Sequence, residues 1–240
     1  MRLLGLVRVI LHWITKEYDS IENIKYDRSL VGEEVWIFNK LDGQNLRVKY
    51  SPKQKEFVGF GSRHMIVDEN SEVLGDAVAY FKNSDIPNVM KKLIKENSGK
   101  GGIFNGVDEI TFFFEWYGDN SFAGFHVHDD NMHLALIDVF MKKRGYIEPK
   151  PYYEIFCNRD DLETPELIYK GKLTEEVIKS IQENDWAQEG CRYPNVKEGG
   201  VIRRSTMLKG QRLPKAKVKT IWWITELHKN YTEDECKLLE

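Results

Sequence analysis

Lys40 is the residue whose type and setting point most directly to chemistry. It follows an apolar run from Val35 to Phe38 and opens the segment Lys-Leu-Asp-Gly. A lysine amine attacks only when neutral, so it needs burial or neighbouring cations that lower its pKa. Asp42 lies two positions on, shares a face with Lys40 in an extended chain, and could bind a ribose hydroxyl or a metal-bound water. Because Asp-Gly between apolar runs is also a hairpin signal, a plain β-hairpin is the alternative.

Further charged residues stand at the ends of predicted strands. Arg63 follows the second predicted hairpin and could bind a phosphate or a ribose, or form a surface salt bridge. Glu115 ends an apolar strand, where a carboxylate is costly to bury without a partner, so it either accepts a ribose hydroxyl or pairs with a basic side chain. Glu198 and Arg203 flank a third strand, and Glu198 is suited to hold Mg²⁺ directly or through waters.

Lys215, Lys217 and Lys219 alternate along the last predicted strand. Alternation places all three ammonium groups on one face, which would suit a triphosphate. The alternative is an edge strand whose charges discourage aggregation.

A histidine cluster is a separate candidate. His126 and His128, with His133 nearby, could ligate a transition metal, because alternate residues of a strand share a face. A polar loop between two strands is the plainer interpretation.

The apolar pattern predicts an α+β protein with mainly antiparallel sheets and no internal repeat. Strands are expected at 34–39, 45–50, 55–60, 107–117, 133–141, around 152–157, 199–204 and 217–224. Helices are expected at 1–18, 86–97 and 174–182, and after Thr232, where Thr-Glu-Asp-Glu matches the capping box.

Composition limits the class of protein. The 240 residues carry a net charge of −3, so no overall positive field announces a nucleic-acid partner. Positive charge is concentrated locally, because seven basic residues and no acid lie between Gly199 and Thr225. The segment Leu3–Ile14 is too short to span a bilayer, so we expect no membrane association. Three widely spaced cysteines, Cys157, Cys191 and Cys236, predict free thiols in a cytoplasmic protein.

Taken in order, six segments resemble the covalent nucleotidyltransferases, the superfamily of polynucleotide ligases and mRNA capping enzymes. They are Lys40-Leu-Asp-Gly, Ser62-Arg63, Phe-Glu115-Trp-Tyr-Gly, Leu-Ile-Asp138-Val, Glu198-Gly-Gly-Val-Ile-Arg203 and Lys215-Ala-Lys217. DNA ligases and capping enzymes usually have arginine five residues after the nucleophile. Asn45 at that position makes the chain most similar to the phage-type ATP-dependent RNA ligases.

The resemblance implies a nucleotidyltransferase (ATP-grasp-like) fold of mainly antiparallel sheets flanked by helices. It divides the chain into an N-terminal helical segment, 1–19, and an adenylyltransferase domain, 20–240. Only about twenty residues follow the lysine pair, too few for the nucleic-acid-binding domain that related ligases append. We therefore expect that an accessory nucleic-acid-binding protein could replace that domain.

The resemblance also implies a reaction. Lys40 would form lysyl-AMP from ATP with Mg²⁺ or Mn²⁺, and AMP would pass to the 5′-phosphate end of an RNA that is then sealed to a 3′-hydroxyl. The lysine pair would stabilise the phosphates and keep Lys40 deprotonated. The implied catalytic residues are Lys40, Lys215 and Lys217; the nucleotide-binding residues are Asn39, Asp42, Asn45, Arg63, Glu115, Val201 and Arg203; the metal ligand is Glu198.

Two departures from the family pattern affect the nucleotide. Asn39 stands where a glutamate often reads adenine, and Leu136 or Ile137 replaces the usual stacking aromatic. Asparagine carries both a donor and an acceptor, so the preference for ATP stays open. The alternatives to an RNA ligase are a DNA-ligase-like or capping-type nucleotidyltransferase and a non-catalytic RNA-binding module of the same fold.

Overall fold

A computed structural model describes residues 16–118, 131–185, 187–207 and 212–239. These residues form two antiparallel sheets with helices around them, which confirms the predicted α+β class. The strands are β1 (Glu34–Lys40), β2 (Gly43–Ser51), β3 (Glu56–Gly61), β4 (Ile66–Val67), β5 (Ile110–Tyr117), β6 (His133–Met141), β7 (Gly145–Tyr146), β8 (Leu167–Lys172), β9 (Gly199–Arg204) and β10 (Lys215–Lys219). The helices are α1 (Gly75–Asn83), α2 (Ile86–Glu96), α3 (Pro149–Phe156), α4 (Glu175–Gln182), α5 (Ile221–Asn230) and α6 (Glu233–Leu239).

The smaller sheet has the strand order β10-β9-β1-β8. Its central strand β1 is buried from Val35 to Phe38, as expected for a strand that has neighbours on both sides and is covered on both faces. Antiparallel pairing with β9 sets Phe38 opposite Val201 and Lys40 opposite Gly199. The end of β1 therefore meets the start of β9.

The larger sheet has the order β4-β3-β2-β5-β6-β7. Its middle strand β5 carries a run of aromatic residues, and Phe112 and Phe114 are fully buried in the main core. Apolar faces of α1, α2 and α3 complete that core. The ladder between β2 and β5 sets Asn45 opposite Glu115, at the end of the sheet nearest β1.

The segment Lys-Leu-Asp-Gly does not make a hairpin. β1 belongs to the smaller sheet and β2 to the larger one, so the chain crosses between the sheets at Leu41 and Asp42. Trp36 and Phe38 of β1 and Leu46 and Val48 of β2 pack into the same core, so the two sheets meet across it. We call the space beside this crossing the intersheet cleft.

Two strand predictions are wrong because a helix-forming signal was overlooked. Residues 152–157 fall largely in α3, which begins at Pro149 and buries Tyr152 and Phe156 on one face. The strand predicted at 217–224 ends at Lys219, and α5 follows at once because the hydroxyl of Thr220 accepts a hydrogen bond from the backbone N–H of Trp223. Helix α1 and strand β8 were not predicted.

Other local predictions are confirmed. Helix α4 begins at its Thr174 cap, and α6 begins after Thr232 with Glu235 bonded back to it. The three cysteines are free thiols. Residues 16–18 are not helical, and the rest of the predicted helix 1–18 lies outside the described residues, as do His126 and His128. No helix in the described ranges combines the length and apolarity needed to cross a membrane.

Candidate active site

The intersheet cleft holds a cavity of about 610 Å³. That volume is within the usual range for a small-molecule site. Ten of the eleven residues predicted for the site line the cavity: Asn39, Lys40, Asp42, Asn45, Arg63, Glu115, Glu198, Val201, Arg203 and Lys217. The eleventh, Lys215, has a different place, described below.

A lysine–carboxylate pair lies at the centre of the site. The Lys40 Nζ is 2.8 Å from Oε2 of Glu198, which is only 3% exposed. Gly199 makes this approach feasible, because its φ of +147° favours glycine and an added Cβ would meet the Val218 carbonyl oxygen at 2.0 Å. The backbone thus turns into β9 with Glu198 aimed at the end of β1.

The charge state of Lys40 differs from the prediction. Burial lowers the pKa of its ammonium group, but the surrounding carboxylates outweigh burial and raise the pKa overall. Those carboxylates are Glu198, Glu115 and Asp42. The protein's own charges therefore do not lower the Lys40 pKa as predicted, because Glu198, at 2.8 Å, and the other acids outweigh burial.

Glu115 is the counterpart of this pair across the cleft. Burial raises the pKa of its carboxyl to about 8, and the negative charges of Glu198 and Asp42 add to that rise. Lys40 and a hydrogen bond from Asn45 act in the opposite direction. At neutral pH Glu115 is therefore largely a neutral acid that can donate a hydrogen bond as well as accept one.

The oxygen donors suit a hard divalent cation. Glu198, Asp42 and the buried amide oxygen of Asn45, which has no hydrogen-bond partner, all line the cavity. Mg²⁺ and Mn²⁺ prefer such oxygen ligands, and Mg²⁺ commonly keeps waters and takes one or two carboxylates together with substrate phosphates. Among the described residues no ready-made group of three or more acidic, histidine or cysteine ligands occurs. The residues therefore fit an ion held by Glu198 and completed by water or phosphate oxygens.

The alternating lysines of β10 have three different environments. Lys215 is bonded to the buried carboxylate of Asp138 and lies 3.3 Å from the centroid of the Tyr146 ring, behind the cavity wall. Lys219 lines the cavity instead, with Nζ 3.2 Å from Oε1 of Glu198. The interpretation of Lys215 as a phosphate ligand is not supported by this placement, and Lys219 was missed although the alternation included it.

Lys217 lies between these two lysines and faces the cavity. Burial lowers the pKa of its ammonium group, and the positive charges of Lys40 and Arg63 lower it further. Within the described part of the chain it has no salt bridge to a carboxylate. Lys217 is thus the cation of the row that is best placed to meet an incoming anion.

Arg203 is held rigidly at the other end of the cavity. Its guanidinium is 2% exposed, lies 3.5 Å from the Asp138 carboxylate and donates a hydrogen bond to the Ile137 carbonyl oxygen. It also stacks against the rings of Phe38 and Tyr152. Ile137 lines the cavity whereas Leu136 is fully buried in the core, so Ile137 takes the place of the absent aromatic.

Asn39 lines the cavity and carries an unpaired buried acceptor. Its amide nitrogen donates to the Asn195 carbonyl oxygen at 2.8 Å, and its own Oδ1 is buried without a hydrogen-bond partner. Since a carbonyl can only accept, the orientation of the Asn39 amide is fixed by Asn195. The unused group is therefore the oxygen.

Trp223 is a site residue that sequence reasoning missed. Its indole N–H donates to Oδ2 of Asp42 at 3.0 Å, and its ring lies 3.7 Å below the Lys219 ammonium. The available signal was the Trp-Trp pair directly after the lysine row. Treating that pair as strand concealed it, because only a helix starting at Ile221 brings the indole back to the cleft.

The chain belongs to the RNA ligase family, whose sequence model matches residues 33–219. No curated protein sequence matches the chain.

Solved structures of Naegleria gruberi RNA ligase are similar in fold. A variant with AMP and Mn aligns with a TM-score of 0.58 at 16% identity, covering 90% of this chain and 58% of that one. A complex with PPi gives 0.56 at 16% identity, covering 91% and 59%. A variant with ATP and Mn gives 0.55 at 16% identity, covering 90% and 58%. The chain thus spans less than two thirds of the length of these ligases.

Proposed function

We propose that this protein is an ATP-dependent RNA ligase that works through a lysyl-AMP intermediate on Lys40. The observation that carries the proposal is the Lys40–Glu198 pair, 2.8 Å apart, in a cleft that also contains the Lys217 cation. Membership of the RNA ligase family supports it, as do Naegleria relatives solved with ATP and Mn. The cofactors we assign are ATP and Mg²⁺ or Mn²⁺.

In the first step the neutral Lys40 amine attacks the α-phosphorus of ATP. The N–P bond forms as the bond to the pyrophosphate oxygen breaks, pyrophosphate leaves, and the nitrogen loses a proton. Lys217 and Lys219 stabilise the charge that develops on the phosphates. Glu198 would hold a divalent cation, which would supply charge neutralisation at the phosphates.

The Glu198 contact also bears on the reactivity of Lys40. Glu198 raises the pKa of the Lys40 ammonium, whereas burial lowers it. If Glu198 bound another cation, its contribution to the raised pKa would fall, and the Lys40 ammonium would lose its proton more readily.

Asn39 favours adenine over guanine in this arrangement. Its unpartnered acceptor, Oδ1, is complementary to the exocyclic amine of adenine. Guanine carries a carbonyl oxygen at that edge, which would face Oδ1 with no hydrogen between them. Val201 and Ile137 provide apolar surfaces for the faces of the base.

The next two steps join RNA ends. A 5′-phosphate oxygen attacks the phosphorus of lysyl-AMP, the P–N bond breaks, Lys40 recovers a proton, and a 5′–5′ pyrophosphate linkage forms. A 3′-hydroxyl then attacks the 5′-phosphorus, releases AMP and a proton, and leaves a phosphodiester. The substrates we assign are RNA ends, and an accessory nucleic-acid-binding protein would supply contacts beyond this chain.

Intact mass spectrometry tests the first step. The protein, cleared of bound AMP with pyrophosphate and Mg²⁺, is incubated with Mg²⁺ and either ATP or GTP. We expect the mass of one AMP to be added with ATP only, with full labelling of Lys179→Ala, an exposed control, and none of Lys40→Ala. Labelling of Lys40→Ala would contradict the proposal, as would no labelling of the unaltered protein. Labelling with GTP alone would favour a capping-type guanylyltransferase.

A further inference from the structure

A second cavity, of about 250 Å³, adjoins the first at Lys40. The two share a wall that includes Lys40, Asp42 and Glu198. The second cavity alone is lined by Tyr117, Gly118, His133, Asn195 and Lys197. The nucleotide proposed above occupies the larger cavity, where Val201 and Ile137 lie, and the residues that line only the smaller one have no assigned role in binding it.

Two aromatic rings form one side of this second cavity. Tyr117 and His133 are direct neighbours across β5 and β6, and their rings stack with centroids 5.4 Å apart and an interplanar angle of 29°. The His133 side chain is 47% exposed. Such a pair presents a flat face to which any nucleobase can stack.

The two rings are held in place by one acid. The Tyr117 hydroxyl donates to one oxygen of Glu163, and Nδ1 of His133 lies 3.2 Å from the other. Glu163 is itself fixed, because its carbonyl oxygen accepts from the backbone N–H of Leu136 in β6. The orientation of the rings is therefore set before any ligand arrives.

Two further residues of the lining are polar and held in place. Lys197 brings a positive charge, and its carbonyl oxygen accepts from the hydroxyl of Thr220, the cap of α5. The carbonyl oxygen of Asn195 accepts from the Asn39 amide, and its side chain donates to Glu166. A stacking face and a cation in one small cavity match a terminal nucleotide with its phosphate.

We infer that this second cavity binds the end of the RNA strand, with the terminal base stacked on Tyr117 and His133 and its phosphate near Lys197. The inference rests on the proposed function, because it places the RNA end beside the lysine that carries AMP. Stacking does not depend on base identity, so the site would accept any terminal base. Either a 5′-phosphate end or a 3′-hydroxyl end has this chemistry.

The test examines the 5′-phosphate end and the 3′-hydroxyl end of RNA in separate arms, and neither arm includes the reaction of Lys40 with ATP. In one arm, protein carrying AMP on Lys40 reacts with excess 5′-phosphorylated RNA in a single turnover. In the other, pre-adenylated RNA is sealed to a 3′-hydroxyl strand without ATP. The variants are the Tyr117→Ala/His133→Ala pair, the Tyr117→Phe/His133→Phe pair, and Tyr26→Ala, an aromatic control that is 74% exposed.

We expect the alanine pair to slow one arm about 5- to 150-fold, which corresponds to about 1–3 kcal/mol for a stacked base. Labelling by ATP should be unchanged, and the phenylalanine pair, which keeps the rings but loses the Glu163 contacts that orient them, should be slowed clearly less than the alanine pair. The slowed arm identifies the bound end. Unchanged rates in both arms, or equal losses in the phenylalanine and alanine pairs, would overturn the inference.

An abasic substrate tests the same stacking contact in the unaltered protein, so the result does not depend on whether the alanine pair folds. RNA whose terminal nucleotide lacks a base should react with the unaltered protein about as slowly as normal RNA does with the alanine pair. Equal rates for abasic and normal ends in both arms would overturn the inference without any variant. Failure to form lysyl-AMP would instead sink the proposed function, and the arm with pre-adenylated RNA would still test the cavity.

Discussion

Two carboxylates in this protein each hold two cations, and the two clusters differ mainly in what they face. Asp138 contacts Lys215 and Arg203, and although Arg203 borders the cavity, the three side chains are at most 7% exposed. Glu198 contacts Lys40 and Lys219, and the Lys40 side chain is 24% exposed toward the cleft. The same kind of charge pairing is thus closed to solvent around Asp138 and open to the cleft at Lys40 and Glu198.

The difference shows why charge alone does not identify a catalytic lysine. A buried pair with aromatic neighbours has nowhere to exchange partners, because removing either charge leaves the other without compensation. A pair at a cavity wall can exchange, because a phosphate or a metal ion can replace each partner. The following predictions test that contrast, beginning with the largest effect.

Asp138→Asn should destabilise the fold strongly. It leaves Lys215 and Arg203 buried without a counter-charge, which typically costs about 3–5 kcal/mol. Urea unfolding measures the loss in free energy of unfolding. Asp108→Asn, which breaks an exposed pair with Lys143, is the matched control and should leave the free energy of unfolding nearly unchanged. Equal losses in the two variants would remove the distinction between the clusters.

Glu198→Gln should damage the reaction more than the fold. The first step loses the carboxylate that holds the metal ion, and removing one such electrostatic group typically slows a reaction about 10²- to 10³-fold. The rate of AMP labelling measures this, with Glu183→Gln, an exposed partner of Lys179, as the control. A Glu198→Gln protein that labels at the normal rate would show that the pair is structural only.

Trp223→Phe should have a moderate effect on the same rate. The change removes the hydrogen bond to Asp42 but keeps a ring near Lys219. A net loss of about 0.5–1.5 kcal/mol corresponds to labelling about 2- to 10-fold slower. Trp222→Phe, one position along α5, should leave the rate unchanged; equal slowing in the two variants would contradict a specific role for the indole N–H.

Glu115→Gln should act on the pH dependence of stability. The folded-state pKa of Glu115 is about 8, above its ordinary value of 4.5, so between these values the folded protein holds one proton more than the unfolded chain. Its contribution is complete below pH 4.5 and is lost as the pH rises to about 8. Melting temperatures from pH 5 to 9 should therefore fall less steeply for Glu115→Gln than for the unaltered protein, and parallel slopes would contradict the raised pKa.

Sequence reasoning located the cleft residues better than the elements that carry them. The two ends of β9 were predictable, because Glu198 and Arg203 flank an apolar run. Which of the three lysines of β10 face the cavity was not predictable. Alternation puts all three on one face, and their environments differ only through the carboxylates that they contact, Asp138 and Glu198. Local spacing contains no information about such partners.

The charge state of Lys40 was misjudged for the same reason. The basic residues were visible as a run, whereas Glu115, Glu198 and Asp42 are far apart in sequence or easily assigned elsewhere. Trp223 was hidden by a wrong element, because the strand prediction continued past the Thr220 cap. The errors thus come from contacts across the fold and from one unnoticed cap.

The crossing at Leu41 and Asp42 makes the site indivisible. Lys40 and Glu198 belong to the smaller sheet and its edge, whereas Asn45 and Glu115 belong to the larger sheet. Neither sheet alone carries all the residues of the site. The site can therefore form only when the two sheets are packed together. A nucleotide bound in the intersheet cleft binds only that packed state, so it would stabilise the sheets against separation by mass action.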